Sequence, residues 1–217
     1  NLVLFLILLL ILSCLYFCFS LMQVGGKLED HIKQSAGTSF ALTSKQGDKP
    51  FALKEAEKVR QLAGVGGMVP QYESPVRILG KEAVTGQQSV ERDDLGQEAK
   101  QALGAVFTQK TDQHLDFRSG SFQLVQGKHL SDKARGQILI HQELAKKNKL
   151  KVGDQLTLSS FQMGETPAKE QTFEIVGIFS GKKQEKFTGM TSDLSENQVY
   201  LPYEDATKLL GLSQQEV

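Results

Sequence analysis

The sequence has very little cysteine and no net charge. Its 217 residues include two cysteines, Cys14 and Cys18, and 25 basic side chains balance 25 acidic ones. Nucleic-acid-binding proteins attract phosphate with an excess of positive charge, so this balance argues against that class. The 195 residues after Met22 contain no cysteine, which excludes a disulfide framework there. Cys14 and Cys18 are four residues apart, so they share one helix face as small apolar side chains and do not form a CxxC site.

Charge is absent altogether from residues 1–22, and the first charged side chain is Lys27. A helix of this length would span roughly 33 Å, close to the ~30 Å hydrocarbon core of a bilayer. Such a helix satisfies its own backbone hydrogen bonds, as lipid requires. We therefore predict a transmembrane helix over residues 1–22, with the lipid bilayer as its partner. Its representative lipid-facing residues are Leu2, Phe5, Leu8, Leu12, Leu15, Phe19 and Met22.

Other interpretations of this apolar segment fit less well. A secretory signal peptide would carry a basic first region and a small-residue cleavage site, and neither is visible. A lipoprotein signal would place a polar tether after Cys14, where eight more apolar residues follow instead. A buried core helix would have a polar side, whereas this segment is apolar all round.

Catalytic and ligand-binding motifs are absent as well. None of the four Gly-Lys pairs is followed by Ser or Thr, so there is no P-loop. The glycines at 64, 66 and 67 follow a predicted helix, not a strand, so they indicate a turn and no dinucleotide site. The four histidines are scattered, and no G-x-S-x-G motif occurs. We predict no catalytic residue, no cofactor and no metal, which makes a membrane-anchored enzyme the least favoured function.

The first part of the polar region mixes helix and strand signals. Residues 23–37 indicate a helical extension or linker, and residues 38–80 the N-terminal half of a first α/β subdomain. Within the latter, alternation predicts a strand over 38–44, helical spacing predicts a helix over 53–64, and residues 68–79 predict a strand restricted by Pro70 and Pro75 to an edge or a bulge.

The remainder, residues 81–217, predicts a second, β-rich subdomain entered through a polar linker. We expect a helix over 94–106 and strands over 121–127, 137–140, 155–161, 172–179 and 198–201. Further helices are predicted over 142–148 and 203–210, with a tight turn at Val152-Gly153-Asp154. The fold class is therefore α+β: one transmembrane helix followed by a two-part domain.

Five short motifs in register resemble the extracytoplasmic core domain of the MacB/FtsX-like ABC-transporter permeases. They are QGKHL (126–130), QILI with its following helix (137–145), KVGDQLTL (151–158), FEIVGIF (173–179) and VYLPY (199–203). The motif positions that we single out as structural are Gly127, Val152, Gly153, Asp154, Val176, Gly177 and Pro202.

The resemblance implies a plasma-membrane permease whose main domain is extracytoplasmic. Members have a first transmembrane helix, a large outside domain made of a mixed α/β subdomain and an inserted β subdomain, and three further helices. They work as dimers with a cytoplasmic ABC ATPase subunit, and an extracytoplasmic adaptor or substrate is a further implied partner. The implied function is to couple ATP hydrolysis to signalling or to export of peptides, antibiotics or lipoproteins. We expect this chain to be an N-terminal fragment, since only one hydrophobic segment is visible. The alternative is a single-span sensor or binding module.

Overall fold

A computed structural model describes residues 2–36, 58–86, 97–161, 167–185 and 188–211. The chain divides into two compact units, Asn1–Thr43 and Ser44–Val217. The strand predicted over 38–44 and residues 53–57 of the helix predicted over 53–64 lie outside the described residues. Residues 58–60 are helical, and Gly64 follows them with a φ of 91°, the left-handed conformation typical of a helix end.

The first unit contains helix α1, Leu2–Ala36. It contains no proline, and leucine and isoleucine, which favour helix or tolerate it, fill its first half. Its hydroxyl at Ser13 donates to the carbonyl of Leu10 at 2.9 Å, so even this polar side chain is satisfied within the helix. The helix ends close to the position predicted for the polar extension of the apolar segment.

The second unit is built on a seven-stranded sheet with the order β3-β6-β4-β7-β2-β1-β5 and an additional β5–β6 pairing. Six of the strands therefore form a closed circuit of pairings, and β3 is attached to it through β6. The strands are β1 (Gln71–Leu79), β2 (Ala102–Thr108), β3 (Phe122–Gly127), β4 (Gln137–His141), β5 (Gln155–Ser159), β6 (Glu170–Gly181) and β7 (Gln198–Pro202). The short helices are α2 (Leu115–Arg118), α3 (Gln142–Asn148) and α4 (Asp205–Leu210).

Strand β6 is the organising strand of the sheet. One of its edges pairs with β4 in parallel, and the other pairs with β5 along its first half and with β3 along its second half. The register against β4 shifts between Ile138 and Leu139, whose partners are Ile175 and Gly177, so Val176 is the extra residue of a β-bulge. The bulge turns apolar residues of one strand toward two separate cores.

Two clusters of buried side chains lie on opposite faces of the sheet. The larger cluster includes residues of β1, β2 and β4–β7 together with α3 and α4; representative members are Val76, Leu103, Phe107, Ile140, Leu144, Phe173, Leu201 and Leu209. The smaller cluster is rich in aromatic residues: Val106, Phe122, Leu130, Ala134, Leu139, Val176, Phe179 and Tyr200. A sheet covered on both faces explains why β2, β4, β6 and β7 are nearly continuous apolar runs.

The helix predicted over 94–106 is wrong for the described part of that range. Residues Gln97–Gln101 form a short 3₁₀ helix, and Ala102–Thr108 form β2. This strand pairs antiparallel with β1 and parallel with β7, and six of its seven residues are buried. A short apolar run of this kind fits a buried strand as well as a helix, and burial on both faces decides for the strand.

The segment that follows β1 is held by two asparagine side chains. Asn148 accepts a hydrogen bond from the N–H of Glu82 at 2.9 Å and donates to the carbonyl of the same residue at 2.8 Å. Asn197 repeats this with Val84, at 2.7 and 2.8 Å, and also donates to the carbonyl of Thr191 at 2.8 Å. Each side-chain amide thus replaces the backbone of a neighbouring strand.

The other strands and helices predicted for the C-terminal part are confirmed to within a few residues. Pro75 lies in β1 before Arg77, where pairing with β5 begins, so one side of the strand is open at the proline, as predicted. The domain boundaries predicted at residues 22, 37 and 80 stay predictions. Strand β1 lies before the predicted boundary at residue 80, and it pairs with β2 and β5, which lie after that boundary.

Candidate functional site

Three of the predicted motif residues meet where β3 leaves the sheet. Gly127 pairs with Gly177, and the N–H of the next residue, Lys128, donates to the carbonyl of Val176 at 3.0 Å. Gly127 has a φ of 77°. A Cβ atom there would lie far inside van der Waals contact of the Val176 carbonyl oxygen, and one on Gly177 would lie 2.6 Å from the carbonyl oxygen of Lys128. The two glycines therefore let two backbones touch at the bulge.

The predicted tight turn packs against the same part of β6. The carboxylate of Asp154 accepts the N–H of Lys151 at 2.9 Å, while the Asp154 N–H donates to the Lys151 carbonyl at 3.1 Å. Gly153 donates to the carbonyl of Ile175, and Ile175 donates to the carbonyl of Asp154, both at 2.8 Å. Val152, the second turn residue, is 38% exposed. The turn is therefore built by Gly153 and Asp154, whereas the side chain of Val152 remains on the surface.

Pro202 lies elsewhere, at the end of β7 opposite Thr108. The following N–H, of Tyr203, donates to the carbonyl of Thr108 at 3.2 Å, and α4 begins soon after. The structure thus brings Gly127, Val176, Gly177 and the 152–154 turn together along one edge of β6 and leaves Pro202 apart. A role of these residues in function, beyond this geometry, stays a prediction.

The side chains predicted to face lipid are exposed. Leu2, Phe5, Leu8, Leu12, Leu15, Phe19 and Met22 are between 54% and 77% exposed in α1. In the part of the chain that the structure describes, no helix combines the length and the hydropathy that a membrane span needs. The transmembrane helix over residues 1–22 therefore stays a prediction.

A buried polar cluster that the sequence did not reveal lies beside the aromatic core. The hydroxyl of Tyr200 donates to the carboxylate of Asp116 at 2.7 Å, and the ammonium of Lys183 lies 3.8 Å from the same oxygen. His114 is 7% exposed and begins α2 by accepting the Asp116 N–H at 3.2 Å through its Nδ1 atom. Its Nδ1 is 3.6 Å from the Asp116 carboxylate, and its buried Nε2 has no hydrogen-bond partner within the described residues. The spacing of these residues carries no motif, so only the fold assembles them.

His141 begins α3 in the same way, but its Nε2 atom has the hydrogen-bond partner that the Nε2 atom of His114 lacks. Its Nδ1 accepts the N–H of Glu143 at 3.2 Å, and its Nε2 lies 3.1 Å from the carbonyl oxygen of Gly181, to which it donates. Both imidazoles use Nδ1 as an acceptor, so each carries its single proton on Nε2 and is neutral.

Burial perturbs the titration of these groups. It lowers the pKa of His114 below its usual value, against the opposing effect of the Asp116 and Glu73 carboxylates. Burial also lowers the pKa of His141, opposed by the hydrogen bond to Gly181. The pKa of Tyr200 is raised by burial and then by the charge of Asp116, so this phenol remains a proton donor at all physiological pH values.

These histidines predict a stability that declines in mild acid. Their folded-state pKa values lie below the unfolded value of about 6.5, so the unfolded chain binds more protons once the pH falls under that value. The free energy of unfolding should therefore drop by up to about 1.4 kcal/mol per pH unit for each histidine. Urea unfolding as a function of pH measures this slope. His141→Asn, which keeps an acceptor for the N–H of Glu143 and removes the titrating ring, should flatten it, and an unchanged slope would contradict the prediction.

The described residues contain no group of three or more histidine, cysteine, aspartate or glutamate side chains able to hold a metal ion. The Asp116 carboxylate is half-buried and is already bound by a hydroxyl and an ammonium. The arrangement can position α2 and the loop that carries Lys183.

The solved structures that are similar to this chain include two relatives. The periplasmic region of MacB from Actinobacillus actinomycetemcomitans is 13% identical, with a TM-score of 0.43 over 76% of this chain and 61% of that one. A domain of a protein described as a permease, from Porphyromonas gingivalis, is 15% identical, with a TM-score of 0.34 over 78% of this chain and 66% of that one. The chain thus spans less than two thirds of the length of either structure.

No curated protein matches the chain. The family described as the MacB-like periplasmic core domain matches residues 4–217. Since this match extends over nearly the whole sequence, the chain belongs to the MacB-like periplasmic core domain family, which forms the extracytoplasmic part of ABC-transporter permeases.

Proposed function

We propose that this chain is part of a permease subunit that couples ATP hydrolysis in the cytoplasm to export or signalling across the membrane. The observation that carries the proposal is the family match, which includes both α1 and the sheet domain within residues 4–217. In this proposal α1 crosses the plasma membrane and the Ser44–Val217 unit lies outside. The exposed apolar side chains of α1 support the first part, because uncharged leucine-rich surface is stable in lipid.

The chain's own role in this function is mechanical. The proposed partners are a cytoplasmic ABC ATPase subunit, which supplies the energy, and a second permease copy; an extracytoplasmic adaptor or substrate would receive the motion. The sheet domain suits this role because β6 is paired along both edges and two cores cover its faces, so the domain moves as one body. The polar cluster and the turn glycines support that rigidity, and a mechanical role requires no catalytic residue.

The location of α1 can be tested with the chain's two native cysteines. If α1 lies in the membrane of intact cells, a membrane-impermeant maleimide should label Cys14 and Cys18 only after detergent is added. In a C14S/C18S background, Ser131→Cys adds a cysteine at an exposed position of the domain, and it should react from outside the cell at once. Labelling of the native cysteines in intact cells would contradict a membrane-embedded α1, and protection of residue 131 would contradict an external domain.

Coupling needs the intact permease together with its ATPase subunit. A flexible Gly/Ser insertion after Gly26 should abolish ATP-dependent changes in the distance between spin labels on the sheet domains of two copies, because a flexible linker does not transmit motion. The same insertion after Gly120, an exposed turn, should leave those changes intact. Equal behaviour of the two insertions would contradict a mechanical role for α1.

A further inference from the structure

Lysine is concentrated at the C-terminal end of α3 and in the turn that follows it. Lys149 adopts the left-handed conformation, with a φ of 55°, and ends the helix. The N–H of Leu150 then donates to the carbonyl of Ala145 at 2.9 Å, and its side chain packs against the larger core. The half-buried Leu150 separates Lys149 from Lys151, and both lysines are exposed at the surface.

The tertiary structure adds Lys81 to this group. The clamp between Asn148 and the backbone of Glu82 places Lys81 next to the end of α3, although the two segments are 66 residues apart in the chain. The ammonium of Lys147 reaches the carboxylate of Glu82 at 3.5 Å, which confirms that the two segments share one surface.

Lys128 joins from the end of β3, further along the same edge of β6. Its N–H donates to Val176, and the N–H of Gly153 donates to the adjacent Ile175, so Lys128 and the 151–154 turn flank neighbouring residues of one strand. The side chain of Lys128 is exposed. We call this set the lysine surface: Lys81, Lys128, Lys146, Lys147, Lys149 and Lys151.

Most lysines of the lysine surface are not neutralised by carboxylates of the described residues. Lys146 pairs with Glu143 at 2.8 Å, and Lys147 pairs with Glu82. Two other carboxylates are nearby. One oxygen of Asp154 accepts a hydrogen bond from a backbone N–H of its own turn, and Glu174 is exposed on β6. Among the described residues, the other four lysines of the surface have no ion-pair partner. The positive excess is local, because the chain as a whole has no net charge.

An apolar side chain stands in the middle of this positive surface. Val152 follows Lys151 at the tip of the turn and is 38% exposed, in a unit that buries most of its large aliphatic residues. Lysines around an exposed apolar tip match the interface of a bilayer, where phosphates attract the ammonium groups and the boundary region accepts a small apolar side chain.

We propose that the lysine surface of the Ser44–Val217 unit binds the anionic phosphate headgroups of a lipid bilayer, with Val152 at the point of contact. This goes beyond the proposed function and does not depend on it, because every contributing residue lies in the sheet domain. The contact is electrostatic in the main, so it is reversible and sensitive to salt.

The test uses the full chain held in nanodiscs of phosphatidylcholine, mixed with sucrose-loaded vesicles of phosphatidylcholine with or without phosphatidylglycerol. Co-sedimentation should occur with the phosphatidylglycerol vesicles and should decline as salt is raised. The variant K128Q/K149Q/K151Q should bind them about a hundredfold more weakly, at about fivefold for each lysine. The matched control K100Q/K169Q/K208Q removes the same charge from exposed lysines outside the surface and should change binding by less than about fivefold.

Equal loss of binding in the two triple variants would overturn the proposal, since net charge alone would then explain the result. Equal sedimentation with both kinds of vesicle would overturn it too, because no headgroup charge would be recognised. Tighter lysine-dependent binding of soluble polyphosphate than of the vesicles would replace the bilayer by a polymeric anion as the partner. Failure of α1 to insert in a membrane would appear earlier, as failure of the chain to enter the nanodiscs, so it is distinguishable from loss of vesicle binding by chains that have entered them.

Discussion

Replacing Gly127 with alanine should destabilise the sheet domain by about 3 to 5 kcal/mol. Part of this is the cost of a left-handed backbone for a residue with a Cβ atom, since the φ of Gly127 is 77°. The larger part is steric, because the new Cβ would collide with the carbonyl oxygen of Val176, which is backbone and has no rotamer to change. Relief requires β3 to move away from β6, and the hydrogen bond from Lys128 to Val176 would then be lost.

Gly120→Ala separates the two contributions. Gly120 has a φ of 78°, almost the same backbone conformation, but no heavy atom lies within 4 Å of the position that its Cβ would take. It should therefore cost only about 1 to 2 kcal/mol. Urea unfolding of the full chain, followed by near-ultraviolet circular dichroism of the aromatic core, measures both values. Similar losses in the two variants would show that β3 and β6 are not held in close contact at this point.

Asn197→Ala should be nearly as damaging, at about 3 to 5 kcal/mol. Asn197 is fully buried and binds three backbone groups, the N–H and carbonyl of Val84 and the carbonyl of Thr191. Water cannot replace a side chain at a site with no solvent access, so the truncation leaves those groups without partners. The segment after β1 would lose one of its two asparagine attachments to the sheet domain, the other being Asn148.

Asn148→Ala is the matched control, because Asn148 makes the same two bonds to Glu82 at a half-buried position, and a third to the carbonyl of Leu144 at 3.0 Å within α3. Water replaces these bonds, and we expect a loss of about 1 kcal/mol. Asn197→Asp tests the two N–H donors of the side-chain amide alone. It keeps the oxygen that accepts from Val84 but turns a carboxylate oxygen toward two carbonyl oxygens. This variant should therefore also unfold more readily than the parent chain. The same unfolding measurement applies. A small effect for both Asn197 variants would show that the clamp is not needed for the fold.

The candidate site was only partly predictable from the sequence. Gly153 and Asp154 stand out because turn chemistry is local, and a glycine followed by aspartate between apolar runs indicates a turn without reference to the rest of the chain. Gly127 was singled out only by the family resemblance. That Gly127 also serves a close approach between strands was not visible, because its partner Val176 is 49 positions further along and belongs to a bulge.

The polar cluster shows the limit most clearly. His114 and Asp116 sit in an unremarkable polar stretch, and Tyr200 lies 84 residues after Asp116 in an apolar strand. No residue pattern within either segment predicts that the two segments meet. The neutral state of His114 and the hydrogen bond from Tyr200 therefore exist only in the folded protein. The helix predicted over 94–106 failed for a related reason, since pairing of β2 with β1 and β7 outweighed the local preference for helix.

The sequence by itself determined the apolar, uncharged character of residues 1–22, the positions of most strands and helices after residue 120, and the family motifs. These properties follow from local periodicity, from turn residues and from composition, which need no partner elsewhere in the chain. The tertiary structure alone decided that β2 is a strand, that β6 carries a bulge and pairs along both edges, and that two asparagines hold the segment after β1. Each of these depends on hydrogen bonds between residues tens of positions apart, where the free energy of burying both partners outweighs any local preference.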